Sequence, residues 1–450
     1  MTTNKTLKVG GPRKIIEEEE AKEVLARFVE QHSGKDDDDG GGSDITTIDL
    51  SCRQWTEGAI VVLEDFLKKL SPKITTLELS DIIAGLETSV GLNIMGKFND
   101  VFAGSVSDNL KAIYLNDNAM GPRALDRIKA LLGSPGVDAI YLNNCGLSAE
   151  TIPDIDAALR VGGDSSVGGV ARLRVLELNK NMIGVLGAEQ VGLLLPACTK
   201  LEEFSYCGCR PEGRGTKYIT EGLQKMVEAS TNADDGQYHP IQKLSLYDCS
   251  TGSGEEEDDA MHSLVEMLTK APNLTHLNLQ DCGDFGETGT GMIVQALINS
   301  GCKLVDLNLG GCCLGPDGGE VLGELLTKMT GSLKVLSLET AELEDDGVKK
   351  IVAAYEGIED KTVLEVLRLD ENELEEASLD ALMDLKLPKL RLLSLKENIE
   401  LEDLDEKKSE IKSKLAPTFV LIDDDDEEME VQEEPDAEVD ELADQLAGVL

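Results

Sequence analysis

The sequence predicts an α/β solenoid, with a curved parallel sheet inside and helices outside. Two observations carry this. The first is a phrase of nine positions, apolar-x-x-apolar-x-apolar-x-x-Asn/Cys, written twelve times between Ile45 and Asn398; Leu110-Lys-Ala-Ile113-Tyr-Leu115-Asn-Asp-Asn118 and Leu173-Arg-Val-Leu176-Glu-Leu178-Asn-Lys-Asn181 are clear copies. The second is its spacing: successive copies start 26 to 40 residues apart, room for one strand and one full helix.

The alternation L-x-L has a period of two residues, so each copy opens on a short strand. The intervening segments carry apolar residues at helical spacing. Val321, Leu322, Leu325 and Leu326 follow Gly318-Gly319, and Leu264, Val265 and Leu268 precede the helix-stopping Pro272. One repeat cannot bury its leucines; stacked repeats can, which gives a leucine-rich repeat solenoid of the ribonuclease-inhibitor-like horseshoe kind. The ninth position sits where the chain turns out of the strand, and a small polar or thiol side chain there can hydrogen-bond the backbone of a neighbouring repeat. It is filled by Asn118, Asn181, Asn372 and Asn398, or by Cys145, Cys209, Cys249, Cys282 and Cys312. Arg53, Ile82 and Ala341 break the pattern in repeats one, two and ten.

Three segments are expected. Residues 1–44 hold a capping helix over Ile15 to Val29 and a DDDDGGGS linker over Asp36 to Ser43; 45–422 hold the repeats; 423–450 form an acidic tail. Residues 423–444 carry 14 carboxylates and no Lys or Arg, so that stretch cannot fold alone. Leu442 to Leu450 regain apolar character and read as a small docking segment. The insertions Gly162 to Gly169, Thr231 to Pro240 and Gly252 to Asp259 lengthen three intervals and are expected as loops on the outside or rim.

Composition narrows the function. The 450 residues carry a net charge of −45, which disfavours nucleic acid and anionic membrane and favours a basic protein partner. No apolar run reaches a membrane span, and the N-terminus lacks a signal-peptide core, so a soluble intracellular protein is expected. Five of the ten cysteines fall at the ninth position, which makes them structural, and thiols used this way suit a reducing compartment. The pairs Cys207/Cys209 and Cys312/Cys313 follow from the repeat rather than from metal-ligand spacing. Scattered histidines and the absence of any nucleophile–base motif leave no active site, and no cofactor or metal is expected.

A surface is expected instead. Equivalent positions of stacked repeats form rows. The seventh position gives Ser80, Asn116, Asn143 and Asn179 in repeats two to five, and the eighth gives Asp81, Asp117, Asn144 and Lys180. Together they make a polar edge at the strands' C-terminal ends.

At these residues the sequence resembles a known family. Leu79-Ser-Asp-Ile-Ile-Ala-Gly85, then Ile113-Tyr-Leu-Asn-Asp-Asn-Ala-Met-Gly-Pro122, then Ile140-Tyr-Leu-Asn-Asn-Cys-Gly-Leu147 resemble consecutive repeats of the Ran GTPase-activating proteins, and the acidic tail is similar. The resemblance implies docking of Ran-GTP and acceleration of its hydrolysis, without an arginine finger, by ordering the GTPase's own glutamine. It implies Asn144 as the residue beside that glutamine, and the other row residues as partner contacts. It also implies a role in nucleocytoplasmic transport, in the cytoplasm or at the nuclear envelope, and leaves room for a Ran-binding accessory protein. Two departures stand out. Leu86 occupies a place where many members have arginine, with Arg53 or Arg123 as cations that could stand in. Residues 1–44 lack the Trp-Pro-Pro targeting motif of plant members. The alternative reading is a non-catalytic leucine-rich repeat scaffold or inhibitor of a basic protein.

Overall fold

The middle apolar residue of each phrase organises the architecture. The computed structural model describes residues 5–33, 45–103, 109–161, 168–231, 236–251, 260–282, 285–356, 361–385, 387–398, 404–415 and 419–421. Its strands are β1 (Lys5–Lys8), β2 (Lys14–Ile16), β3 (Ile45–Asp49), β4 (Arg53–Trp55), β5 (Thr76–Glu78), β6 (Ala112–Tyr114), β7 (Ala139–Tyr141), β8 (Val175–Glu177), β9 (Glu203–Ser205), β10 (Lys243–Ser245), β11 (His276–Asn278), β12 (Asp306–Asn308), β13 (Val335–Ser337), β14 (Val366–Arg368), β15 (Leu392–Ser394) and β16 (Phe419–Leu421). All twelve phrases form strands, β3 and β5 to β15, and with β1 and β16 they make one 14-stranded sheet. Pairing is parallel and in register, with Leu77 beside Ile113, Ile113 beside Ile140 and Ile140 beside Leu176. These central side chains are fully buried, while the residues on either side of each face the other side of the sheet. An α/β leucine-rich repeat horseshoe follows, as expected from the phrase.

Helices return the chain from each strand to the next. They include α1 (Glu18–Ser33), α2 (Glu57–Leu70), α3 (Thr88–Ala103), α4 (Gly121–Leu132), α5 (Ile152–Val161), α6 (Gly184–Leu194) and α7 (Glu212–Ser230). The expected helical faces around 264 and 322 fall in Met261–Thr269 and Gly315–Met329, where Leu264, Leu268, Leu322, Leu325 and Leu326 are buried. Helices α6 and α7 approach so closely that a Cβ on Gly222 would lie 2.5 Å from the Gly192 carbonyl oxygen. Only glycine permits that backbone contact.

The ninth position builds a ladder. Asn118 is fully buried; its Oδ1 accepts from the Ile82 and Ile83 N–H groups at 3.0 and 3.1 Å, and its Nδ2 donates to the Leu79 and Leu115 carbonyls at 2.9 and 2.8 Å. The thiols reach the equivalent carbonyl one repeat back. Cys145 donates to Leu115 at 3.1 Å, Cys209 to Leu178 at 3.0 Å and Cys312 to Leu279 at 2.9 Å. Burial pushes the Cys145 and Cys209 thiols up to about 12, consistent with structural rather than reactive groups. All ten cysteines are free thiols, and among the described residues no His, Cys, Asp and Glu cluster could hold a metal ion.

The N-terminal segment differs from the expectation. Ile15 and Ile16 lie in β2, which pairs with β4, and α1 starts only at Glu18. The segment is thus a degenerate repeat rather than a lone helix, because β1 extends the main sheet beside β3. Ile16, Val24 and Phe28 are buried there, so the end of the horseshoe is sealed by apolar contact. The expected linker over Asp36 to Ser43, the loop Gly252 to Asp259, most of the loop Gly162 to Gly169, residues 232–235 of the loop Thr231 to Pro240, and the tail 423–450 lie outside the described residues. Among the described residues no helix is long and apolar enough to cross a membrane.

Candidate functional site

The eighth position of the phrase has one backbone conformation throughout. Asp81, Asp117, Asn144 and Lys180 have φ of 53°, 58°, 52° and 57°, as do Asp248, Asp281, Thr340, Glu371 and Glu397 near the same value. A left-handed turn here throws each side chain off the end of its strand onto the rim. Asn and Asp tolerate this conformation better than most residues. Asn144 is therefore explained locally by its backbone as well as by any function.

The structure divides the expected polar row into two layers. The seventh-position amides turn inward. Asn116 Oδ1 accepts from the Asn143 N–H at 3.0 Å, Asn143 Oδ1 from the Asn179 N–H at 2.9 Å, and Asn179 Oδ1 from the Cys207 N–H at 2.9 Å. These half-buried residues form a second ladder that fixes strand ends, and Ser80 beside them has a buried Oγ with no hydrogen-bond partner. The eighth-position side chains stand above them: Asp117, Asn144 and Lys180 are exposed and Asp81 is half-buried. Asn144 Nδ2 donates to Asp117 Oδ1 at 2.8 Å, which leaves its Oδ1 without a partner among the described residues. A fixed amide with an open acceptor can order a donor on another molecule without itself titrating.

One residue of the site was missed from the sequence. Arg13 Nη2 lies 2.9 Å from Asp81 Oδ1 and also donates to the Ala84 carbonyl at 2.9 Å. The strand pairing of β2 with β4 delivers it; nothing in the repeat phrase could. Burial raises the Asp81 carboxyl despite that guanidinium, and Asp117 adds like charge. Arg53, by contrast, is not a free cation. It is 1% exposed and donates to the Cys52 and Gly11 carbonyls, filling the ladder position of its repeat. Leu86 is half-buried against the core, and Arg123 is exposed on α4.

The concave face of the sheet is acidic. Burial raises the carboxyls of Glu78, Glu177, Glu339 and Asp370, and pushes Asp306 up to about 6. Asp306 sits in register beside His276, whose imidazole burial holds below its ordinary value. A carboxyl raised in the folded state favours folding while protonated, and that advantage is lost as pH rises from about 4 through about 6. Asp306→Asn is thus expected to be more stable than the native chain at about pH 7.5, by on the order of 2 kcal/mol, and equal to it near pH 3.5. Urea unfolding at the two pH values checks this.

Buried His239 is structural. Its Nε2 faces the Cys198 carbonyl at 3.3 Å and its Nδ1 accepts from the Ile241 N–H at 3.2 Å. Cys207 and Cys209 are likewise engaged, with the Ser245 hydroxyl at 3.0 Å and the Leu178 carbonyl at 3.0 Å.

Sheet, ladders and rim define a leucine-rich repeat protein, and the Leucine Rich repeat family matches at residues 302–323. Within that class the chain is similar in sequence to Ran GTPase-activating proteins of the leucine-rich repeat type. RAN GTPase-activating protein 2 of Arabidopsis thaliana is 33% identical over 124 residues, 28% of this chain; the matched stretch spans only 20% of that relative's length. The ribonuclease inhibitor of Sus scrofa is 27% identical over 234 residues, 48% of each chain. A chain in the crystal structure of the yeast Rad7 and Elc1 complex superposes over 92% of this chain and 91% of its own with a TM-score of 0.52 at 15% identity, a likeness of fold alone.

Proposed function

We propose that this chain is a GTPase-activating protein for Ran, and that it acts by positioning the GTPase's own catalytic glutamine. The observation that carries the reading is Asn144: exposed on the rim, tethered through Nδ2 to Asp117, with an open Oδ1. The likeness to Ran GTPase-activating proteins supports it. Phosphoryl transfer depends on alignment of the attacking water and on charge stabilisation, so an amide that removes one rotational freedom of a glutamine lowers the barrier without chemistry of its own. Asp117 and Lys180 are the exposed contacts of that docking, with half-buried Asp81 beside them. Asn116, Asn143 and Asn179 serve it by holding the strand ends, with Ser80 next in the row. No arginine need be inserted, and the protein needs no cofactor. In the cell such an activity maintains the GTP gradient used in nucleocytoplasmic transport, from the cytoplasm or the nuclear envelope, alone or with a Ran-binding accessory protein.

The test is single-turnover hydrolysis of Ran-GTP with the protein below stoichiometry. Acceleration supports the reading; an intrinsic rate sinks it. The likeness to ribonuclease inhibitor favours a second reading, a scaffold or inhibitor that binds a basic protein, which binding without acceleration would support.

The 14 carboxylates of 423–444 are assigned to long-range steering. Removal of 423–450 is expected to slow association with Ran-GTP several-fold at low salt and hardly at all at high salt, where screening has already removed the field. Stopped-flow association at the two ionic strengths checks it.

A further inference from the structure

The floor of the concave face next to the rim row holds an arrangement that the glutamine-positioning reading does not use. Four adjacent strands place Glu78, Tyr114, Tyr141 and Glu177 side by side at the fifth position of the phrase, in strict register across β5, β6, β7 and β8. The two tyrosine rings stack on each other with centroids 4.0 Å apart and an angle of 7° between their planes. Their inner faces are therefore satisfied, and their outer faces look towards the two glutamates.

Each glutamate is half-buried and short of positive charge. Glu78 accepts the Ser80 N–H at 2.8 Å, and Glu177 accepts Asn143 Nδ2 at 2.7 Å. Among the described residues, no lysine or arginine lies within ion-pair distance of either. Nearby Lys8 is paired with Asp49 at 3.0 Å, and Lys243 with Glu203 at 3.2 Å. Burial raises both carboxyls, outweighing the hydrogen bonds from Ser80 and Asn143 and the more distant charges of Lys8 and Lys243. A tyrosine reaches further from its backbone than a glutamate, so each pair forms a step with an anionic floor and an aromatic wall. Both features attract a cation, and a guanidinium stacks well on an aromatic face.

We propose that these two steps are a twin cradle for a pair of basic side chains, arginine or lysine, presented about 10 Å apart by a basic protein partner. The separation follows from two strand spacings of about 4.8 Å. It matches residues seven apart on a helix, at about 1.5 Å of rise each. The net charge of −45 supplies the complementary field. The identity of the partner as Ran rests on the reading above; the chemistry of the cradle does not.

Two measurements separate these dependences. The first uses a labelled alanine-rich helical peptide with arginines at positions seven apart, and a control with arginines four apart, titrated into the full chain at low salt. The spaced peptide is expected to bind at least several-fold more tightly than the control. Tyr114→Ala/Tyr141→Ala and Glu78→Gln/Glu177→Gln are each expected to weaken it about tenfold or more, while Tyr114→Phe/Tyr141→Phe, which keeps both rings, retains binding. Thermal melts confirm that the variants fold. No binding by the native chain, or equal binding of both peptides by native and alanine variants, overturns the cradle. The second measurement is the affinity for Ran loaded with a non-hydrolysable GTP analogue. Loss of affinity in the same variants makes Ran the occupant; tight native binding unchanged in them overturns that occupancy and leaves the activator reading standing. No binding of Ran by the native chain overturns the activator reading alone, and the peptide result still decides the cradle.

Discussion

Asn144→Ala is expected to lower the stimulated rate of Ran-GTP hydrolysis by about 100-fold or more while weakening docking only a few-fold, since misplacement of a single aligned group costs that much in rate. The two effects separate because Asn144 is one small side chain on a rim whose other groups, exposed Asp117 and Lys180 and half-buried Asp81, remain. Alanine also has a backbone cost. At a φ of 52° it is strained by roughly 1–2 kcal/mol. Asn144→Gly relieves that strain and still deletes the amide, so both variants should lose the rate alike. If glycine restores the native rate, the asparagine serves only its turn and the glutamine-positioning role is withdrawn. Asn144→Asp keeps an acceptor but sets a second carboxylate against Asp117, now 2.8 Å from the amide, and is expected to fall between. Single-turnover rates at saturating protein, with affinities measured separately, check all three.

The second large effect concerns stability. Asn181 is 1% exposed; its Oδ1 accepts from the Cys145 and Leu147 N–H groups at 2.9 and 3.1 Å, and its Nδ2 donates to the Leu142 and Leu178 carbonyls at 2.8 and 2.7 Å. Asn181→Ala strips all four buried backbone groups at once. Each stranded group costs about 1–3 kcal/mol, and partial relaxation recovers some of it, so a loss of about 4 kcal/mol is expected. That is a large fraction of the stability of an ordinary domain. Asn181→Cys is the informative companion, because Cys145 and Cys209 show that a thiol suffices for the bond one repeat back. It should recover part of the loss, because it restores a donor but cannot receive the two N–H groups. Urea unfolding of the three proteins measures this; a loss below 1 kcal/mol in the alanine variant would remove the ladder as a major source of stability.

Most of the horseshoe was legible because its signal is local. A residue such as Leu176 is buried by the rule that its own phrase writes, and the ninth-position asparagines and thiols bond as their chemistry requires. The N-terminal cap was legible only as apolar residues. Ile16 belongs to a strand rather than a helix because its partner, Trp55 in β4, lies far along the chain, and a long-range pairing leaves no period to read. The same cause hid Arg13 and made Arg53 look like a surface cation. In the rim row the repeat phrase placed the residues at the strand ends, but it did not show the division between Asn143, committed to its neighbour's backbone, and Asn144, open to solvent. Both are asparagines in one dipeptide, and only the left-handed turn between them sends one inward and one out.

The buried thiols give the molecule a built-in set of local clocks. A thiol whose proton is held up to about 12 while folded, as at Cys145 and Cys209, reacts with an alkylating reagent only when its own turn of the superhelix breathes open. Cys249, Cys282 and Cys312 extend the series towards the far end. The order in which these five sulfurs become labelled would map, coil by coil, where the spring loosens first.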